Sequence, residues 1–119
     1  MKKLTVDEVN NTIDMLREDP LGTTRWIPLG TVDDKDFALV MAYVEHDEDE
    51  YELYAKLAYN DSYMKEYDMD WIMPYDPQTG EVWDTEVSVG TGPVSDTDVQ
   101  WWNDEFEKMI PMIENGELQ

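Results

Sequence analysis

Cysteine is absent from this 119-residue chain, histidine occurs once, and only eight lysines and arginines stand against 29 acids. Each shortage closes off some chemistry. Without cysteine there are no disulfides, no thiolate metal ligands and no thiol nucleophile. A serine-type triad needs a histidine base, and the one histidine, His46, sits in the acid-rich stretch His46-Asp47-Glu48-Asp49-Glu50, a poor place for a preorganised base. Gly90-Thr91-Gly92-Pro93 lacks the lysine and the helix context of a phosphate-binding loop. Paired carboxylates of the glycosidase kind need a sugar-sized cleft and one carboxyl with a raised pKa, which a small domain with its acids on strand faces rarely makes. The sequence therefore reads as that of a non-enzyme without a cofactor. Long apolar runs are missing too. The longest is Phe37 to Val44, far below the roughly 20 residues that span a bilayer. Met1-Lys2-Lys3 opens the chain with no apolar stretch behind it, so it is not read as a signal peptide, and a cytoplasmic protein is expected.

What is present is enough to fold. The chain is 41% hydrophobic and 12% aromatic, with five Trp and seven Tyr. Disordered acidic tails lack such residues and cannot offset their chain entropy. The length suits one core, so residues 1–119 are expected to form a single domain. The net charge of −21 is unevenly spread: residues 1–35 hold seven acids and five bases, whereas residues 36–119 hold 22 acids and three bases. Such a field repels nucleic acid and anionic lipid and draws in cationic surfaces with salt-sensitive kinetics. The expected partner is a basic protein surface, with no direct nucleic acid and no membrane.

Along the chain, Thr5 and Glu8 fit a capping box and Leu4 with Val9 a hydrophobic staple. Val6, Val9, Ile13 and Leu16 then recur on one helical face until Asp19-Pro20-Leu21-Gly22. Trp26–Val32 contains Pro28 and Gly30, which predicts an edge strand or a bulge. After the polar turn Asp33–Asp36, Phe37–Val44 is apolar on both alternating faces, the pattern of a covered central strand. Tyr51–Tyr59 alternates as its partner. A second hairpin is predicted for Tyr67–Tyr75 and Glu81–Val89 around Asp76-Pro77-Gln78-Thr79-Gly80. Two registers compete. Pairing Asp76 with Glu81 sets Trp71 opposite Glu86, while a one-residue shift gathers Met69, Trp71, Met73, Trp83, Thr85 and Val87 on one face. Burial favours the shifted register, with Gly80 as a bulge residue. Ser95 and Asp98 open a final helix with Val99, Trp102, Phe106, Met109, Ile110 and Ile113 along one stripe, which Pro111 should kink or end. The fold expected is α+β: an antiparallel sheet of about five strands, with both helices on one face in the order α-β-β-β-β-β-α.

Two functional readings follow from the acids, and an enzyme of unknown type ranks third because nothing places a base near a nucleophile. Asp68, Asp70, Asp84 and Glu86 would be neighbours on one hairpin face, and Asp47, Glu48, Asp49 and Glu50 form an acidic loop. Carboxylates two residues apart on a strand lie about 6.6–6.8 Å apart and point the same way, a spacing that resembles the repeated charge of a phosphate backbone. In composition the chain resembles DNA-mimic inhibitors of phages and mobile elements: short, very acidic, cysteine-free and rich in aromatics. That resemblance implies a nucleic-acid mimic that inhibits a basic DNA- or RNA-binding protein. Trp101, opposite the stripe of the final helix, is the expected anchor. The alternative takes Asp68, Asp70, Asp84 and Glu86 as oxygen ligands for Ca²⁺ or Mg²⁺, although the EF-hand spacing is absent. Finally, Ala38, Val40, Ala42 and Val44, with Tyr54 and Ala58, offer a second sheet face to a homodimer.

Overall fold

The structure is a computed structural model and describes residues 2–48, 50–61, 71–90 and 93–119; at residues 44, 46, 47, 50, 51, 89 and 90 it describes the backbone alone. The described residues form an α+β fold with α1 (Val6–Glu18), β1 (Thr24–Val32), β2 (Lys35–Asp47), β3 (Glu50–Asp61), β4 (Val87–Gly90) and α2 (Asp96–Glu114). The sheet is antiparallel in the order β1-β2-β3-β4. Four strands are thus described, against about five expected.

The local signals at the start of the chain act as their chemistry requires. Thr5 caps α1 by accepting from the Glu8 N–H at 3.2 Å. The reverse half of the expected box is not made, since Glu8 turns to Lys2. At the other end of α1, Asp19 takes a two-pronged bond from Arg25 of β1, 2.6 and 3.1 Å long, which fixes the helix end to the sheet. The β1–β2 hairpin turns on Asp33 and Asp34 alone, both at positive φ, a conformation that aspartate tolerates and that matches strand twist. Lys35 and Asp36 already belong to β2. β1 is an edge strand, and its register shifts between Pro28 and Gly30, as the sequence predicted. The shift lets Ile27, Leu29 and Val32 all reach the interior.

β2 is central, and both its faces are covered. On the inner face Phe37, Leu39 and Met41, with Leu53, Ala55, Leu57 and Tyr59 of β3, meet Val9, Ile13 and Leu16 of α1 and Val99, Trp102, Phe106, Met109 and Ile113 of α2 in one buried cluster. Each fully buried Leu or Ile there contributes roughly 1.5–3 kcal/mol relative to exposure. Phe37 sits between Tyr59 and Phe106, with ring centroids 5.6 and 5.3 Å away. On the outer face Ala38, Val40 and Ala58 form a second, smaller cluster under Trp71.

The predicted second hairpin is where expectation and structure part. Its first arm lies partly outside the described residues. Tyr75 and Val82 make an isolated bridge, Asp76 N–H donates to the Glu81 carbonyl at 2.8 Å, and Trp83 N–H donates to the Pro74 carbonyl at 2.7 Å. Asp76 therefore faces Glu81 across a four-residue loop, and the shifted register is wrong. Gly80, at φ 75°, closes that loop and is not a bulge. The physical reason is the two-faced sheet. Trp71 buries itself on the outer face with Val40, while Trp83, Thr85 and Val87 approach the inner cluster, so burial never required them to share a face.

Accounting for the open edge of β3 explains why no long ladder forms there. β4 pairs with Leu53–Ala55, the Thr85 hydroxyl accepts from the Leu57 N–H at 2.7 Å, and Ile72 exchanges two 2.8 Å bonds with Tyr59. On its far side Tyr75 exchanges two backbone bonds with Gln119. α2 starts on a complete capping box between Ser95 and Asp98. Pro111 does not end it. The helix runs on to Glu114, because an exposed proline this near the C-terminal end removes one backbone bond on the solvent side only. Among the described residues no helix is long and apolar enough to cross a membrane.

Candidate functional site: an acid-lined sheet edge

The C-terminal acids fall on more than one surface, among them the outer side of the sheet beside β4 and the outward side of α2. From residue 71 to 119 the chain holds eleven acids and a single base, Lys108. Two sets of elements position them. On the outer sheet face, Glu52 accepts from the Tyr54 hydroxyl at 2.9 Å and from the Ser88 hydroxyl at 3.1 Å. The bond to Glu52 is the largest cause holding the Tyr54 phenol above its ordinary pKa; desolvation follows, and the nearby Glu86 carboxylate adds repulsion. Glu86 thus acts on Tyr54 through space. This group was missed in the sequence, although the alternation of Glu52 with Tyr54 on one strand face carried the signal.

On the inner side α2 covers the sheet near the same edge, with the Trp102 indole N–H donating to the Thr85 carbonyl at 2.9 Å. Its outward residues include Gln100, Trp101, Asp104 and Glu107, all exposed. Trp101 is 37% exposed and so half-embedded in its surroundings. Not every acid here is available. Glu105 accepts from the Trp83 indole at 3.0 Å and from Lys108 at 3.1 Å, and Asp98 serves the helix cap. Asp104 and Glu107 keep only exposed contacts with Gln100 and Lys3, which are weak in water.

The residues expected from the sequence divide as follows. Asp84 and Glu86 are both exposed, but they do not form a strand row: β4 begins after them, and the Asp84 carboxylate accepts from the Glu86 N–H at 3.0 Å in a local turn. Asp47 and Glu50 are not loop residues but pair through their backbone as the last rung of the β2–β3 ladder. Glu48 is exposed in the turn between them. Asp49, Asp68 and Asp70 lie outside the described residues. Of the four candidate metal ligands only Asp84 and Glu86 are thus described, and among the described residues no three His, Asp or Glu side chains converge as a metal site. The second sheet face is partly used within the chain, with Ala38, Val40 and Ala58 buried beneath Trp71, while Ala42 and Tyr54 stay half-exposed. No protein-family model, no curated protein and no solved structure matches this chain.

Proposed function

We propose that this chain is a non-enzymatic acidic interaction domain that docks on a basic protein surface, acting as a nucleic-acid mimic that inhibits a DNA- or RNA-binding protein. The observation that carries the reading is surface acid on two sides of the fold: Glu52 and Glu86 beside β4 on the outer sheet side, and Asp104 and Glu107 on the outward side of α2. A duplex likewise presents two ranks of fixed negative charge to the groove that binds it. A backbone already ordered before binding pays no further chain entropy, so less of the attraction is lost. Trp101 supplies the apolar contact that charge alone lacks.

The test is capture from a cell lysate on the immobilised protein, with salt and duplex DNA as alternative eluants. The reading expects basic, nucleic-acid-binding proteins that duplex DNA displaces. Retention of nothing at low salt, or only of proteins that DNA leaves in place, overturns it. A quadruple variant, Glu52→Gln/Glu86→Gln/Asp104→Asn/Glu107→Gln, should lose the capture while keeping its melting transition.

A further inference from the structure

Two asparagines of this chain use both ends of one side-chain amide, and a third is left with neither bond. Asn103 clasps the backbone of Leu4, accepting from its N–H at 2.9 Å and donating to its carbonyl at 3.1 Å. Asn10 does the same to Val94, at 2.9 and 3.5 Å. Each clasp reads the N–H and C=O of one residue in a passing segment. Asn60 is the third. It is 1% exposed, yet neither its amide nitrogen nor its amide oxygen has a partner. A buried amide left so carries the desolvation cost of both its polar atoms.

Asn60 opens onto a cleft of about 430 Å³ on the outer sheet face, walled by Trp26, Pro28, Ala38 and Trp71. The Trp26 and Trp71 rings meet at 5.7 Å and 50°, forming an angled aromatic wall, and Trp26 is 52% exposed at the rim. The cleft thus joins an apolar wall to a polar side where Asn60, Asp36 and Thr31 line it, a few polar groups that can orient a ligand, with the Asp36 carboxylate favouring a cationic one.

We infer that this cleft binds an extended peptide segment of a protein partner: Asn60 clasps the N–H and C=O of one residue, and that residue's apolar side chain lies against Trp26 and Trp71. The charge of −21 selects a segment with basic neighbours. The clasp is the one that Asn103 and Asn10 already make inside the chain. The inference shares with the acid-edge reading only the positive sign of the partner; the cleft lies among β1, β2 and β3, away from the β4 edge.

The probes are the capped peptides acetyl-Lys-Leu-Lys-amide, its glutamate counterpart acetyl-Glu-Leu-Glu-amide, and the lysine peptide N-methylated at leucine, followed by NMR of the Asn60 side-chain amide and the indole N–H signals. The lysine peptide should shift these signals saturably, the N-methyl form about tenfold more weakly because one clasp bond is gone, and the glutamate form not at all. Asn60→Leu should abolish the response and raise the melting temperature, since an unpartnered buried amide is replaced by an apolar side chain. Equal binding of the N-methyl peptide, equal binding of the glutamate peptide, no saturable shift, or a lowered melting temperature in Asn60→Leu would each overturn the inference. If Asn60→Leu binds no peptide yet retains the DNA-displaceable partners, the two proposals concern separate surfaces. If the charge variant loses those partners but still binds the lysine peptide, the cleft stands without the mimic reading.

Discussion

Thr85 holds together two parts of the fold that do not share a strand, and substituting it tests the edge accounting directly. Its side chain is fully buried, its hydroxyl accepts from the Leu57 N–H at 2.7 Å, and its carbonyl accepts from the Trp102 indole at 2.9 Å. Thr85→Val keeps the shape and the carbonyl but removes the acceptor, which leaves the Leu57 N–H buried without a partner. That costs about 1–3 kcal/mol. With an m-value of about 1.5 kcal/mol/M, the urea midpoint should fall by about 0.7–2 M with its slope unchanged. Thr85→Ser keeps the acceptor and loses a methyl group, about 1 kcal/mol of burial. Hydrogen exchange supplies the residue-specific readout: the Leu57 amide should lose protection in Thr85→Val and retain it in Thr85→Ser. A valine variant within about 0.5 kcal/mol of the parent, with Leu57 still protected, would show that the hydroxyl does not complete the β3 edge.

Asp19 gives a pH prediction. Its bonds from Arg25, with the guanidinium's charge, outweigh desolvation and hold its carboxyl below the ordinary value. A depressed folded-state pKa means that stability is present above the unfolded carboxylate range, near pH 4, and is lost as pH falls toward the folded value. The stability gap between the parent and Asp19→Asn, measured by urea unfolding, should therefore be constant at neutral pH and shrink below about pH 4; a gap that widens in acid refutes the assignment. Leu118 is buried beyond the positive-φ turn at Gly116, and Leu118→Ala should cost about 2–5 kcal/mol in the same assay. Raising NaCl from about 10 to 150 mM shortens the screening length from about 30 to 8 Å, so the melting temperature of this strongly anionic chain should rise. A fall would show that attractive surface pairs outweigh self-repulsion.

What the sequence made legible was local. Thr5, Pro28 with Gly30, and Ser95 with Asp98 each act within a few residues, and each behaves as its chemistry predicts. The alternation of Phe37–Val44 also disclosed a central strand covered on both sides. The hairpin register failed because assigning a tryptophan to the interior presumes one interior, and here Trp71 and Trp83 approach opposite sides of the sheet. Pro111 does not end the helix, because its cost depends on exposure and on distance from the helix end. The acids carried no positional signal. Glu105 and Asp98 look like Asp104 and Glu107 in the sequence, yet the first pair is engaged within the fold and the second is exposed. The Asn60 cleft was invisible for a related reason: an asparagine announces neither its burial nor its lack of partners.

The bulge at Pro28 and Gly30 has a consequence for crowded solutions. β1 borders the described sheet with a residue that has no amide hydrogen, followed by a break in register. A second copy approaching that margin could zip only a few rungs before the pattern failed. At the opposite margin β4 spans just four residues and is preceded by Asp84 and Glu86, whose like charge would meet its own kind in any approaching copy. One border thus resists fibrillar growth by geometry, helped by the Lys2 N–H that occupies the Leu29 carbonyl, and the other by repulsion.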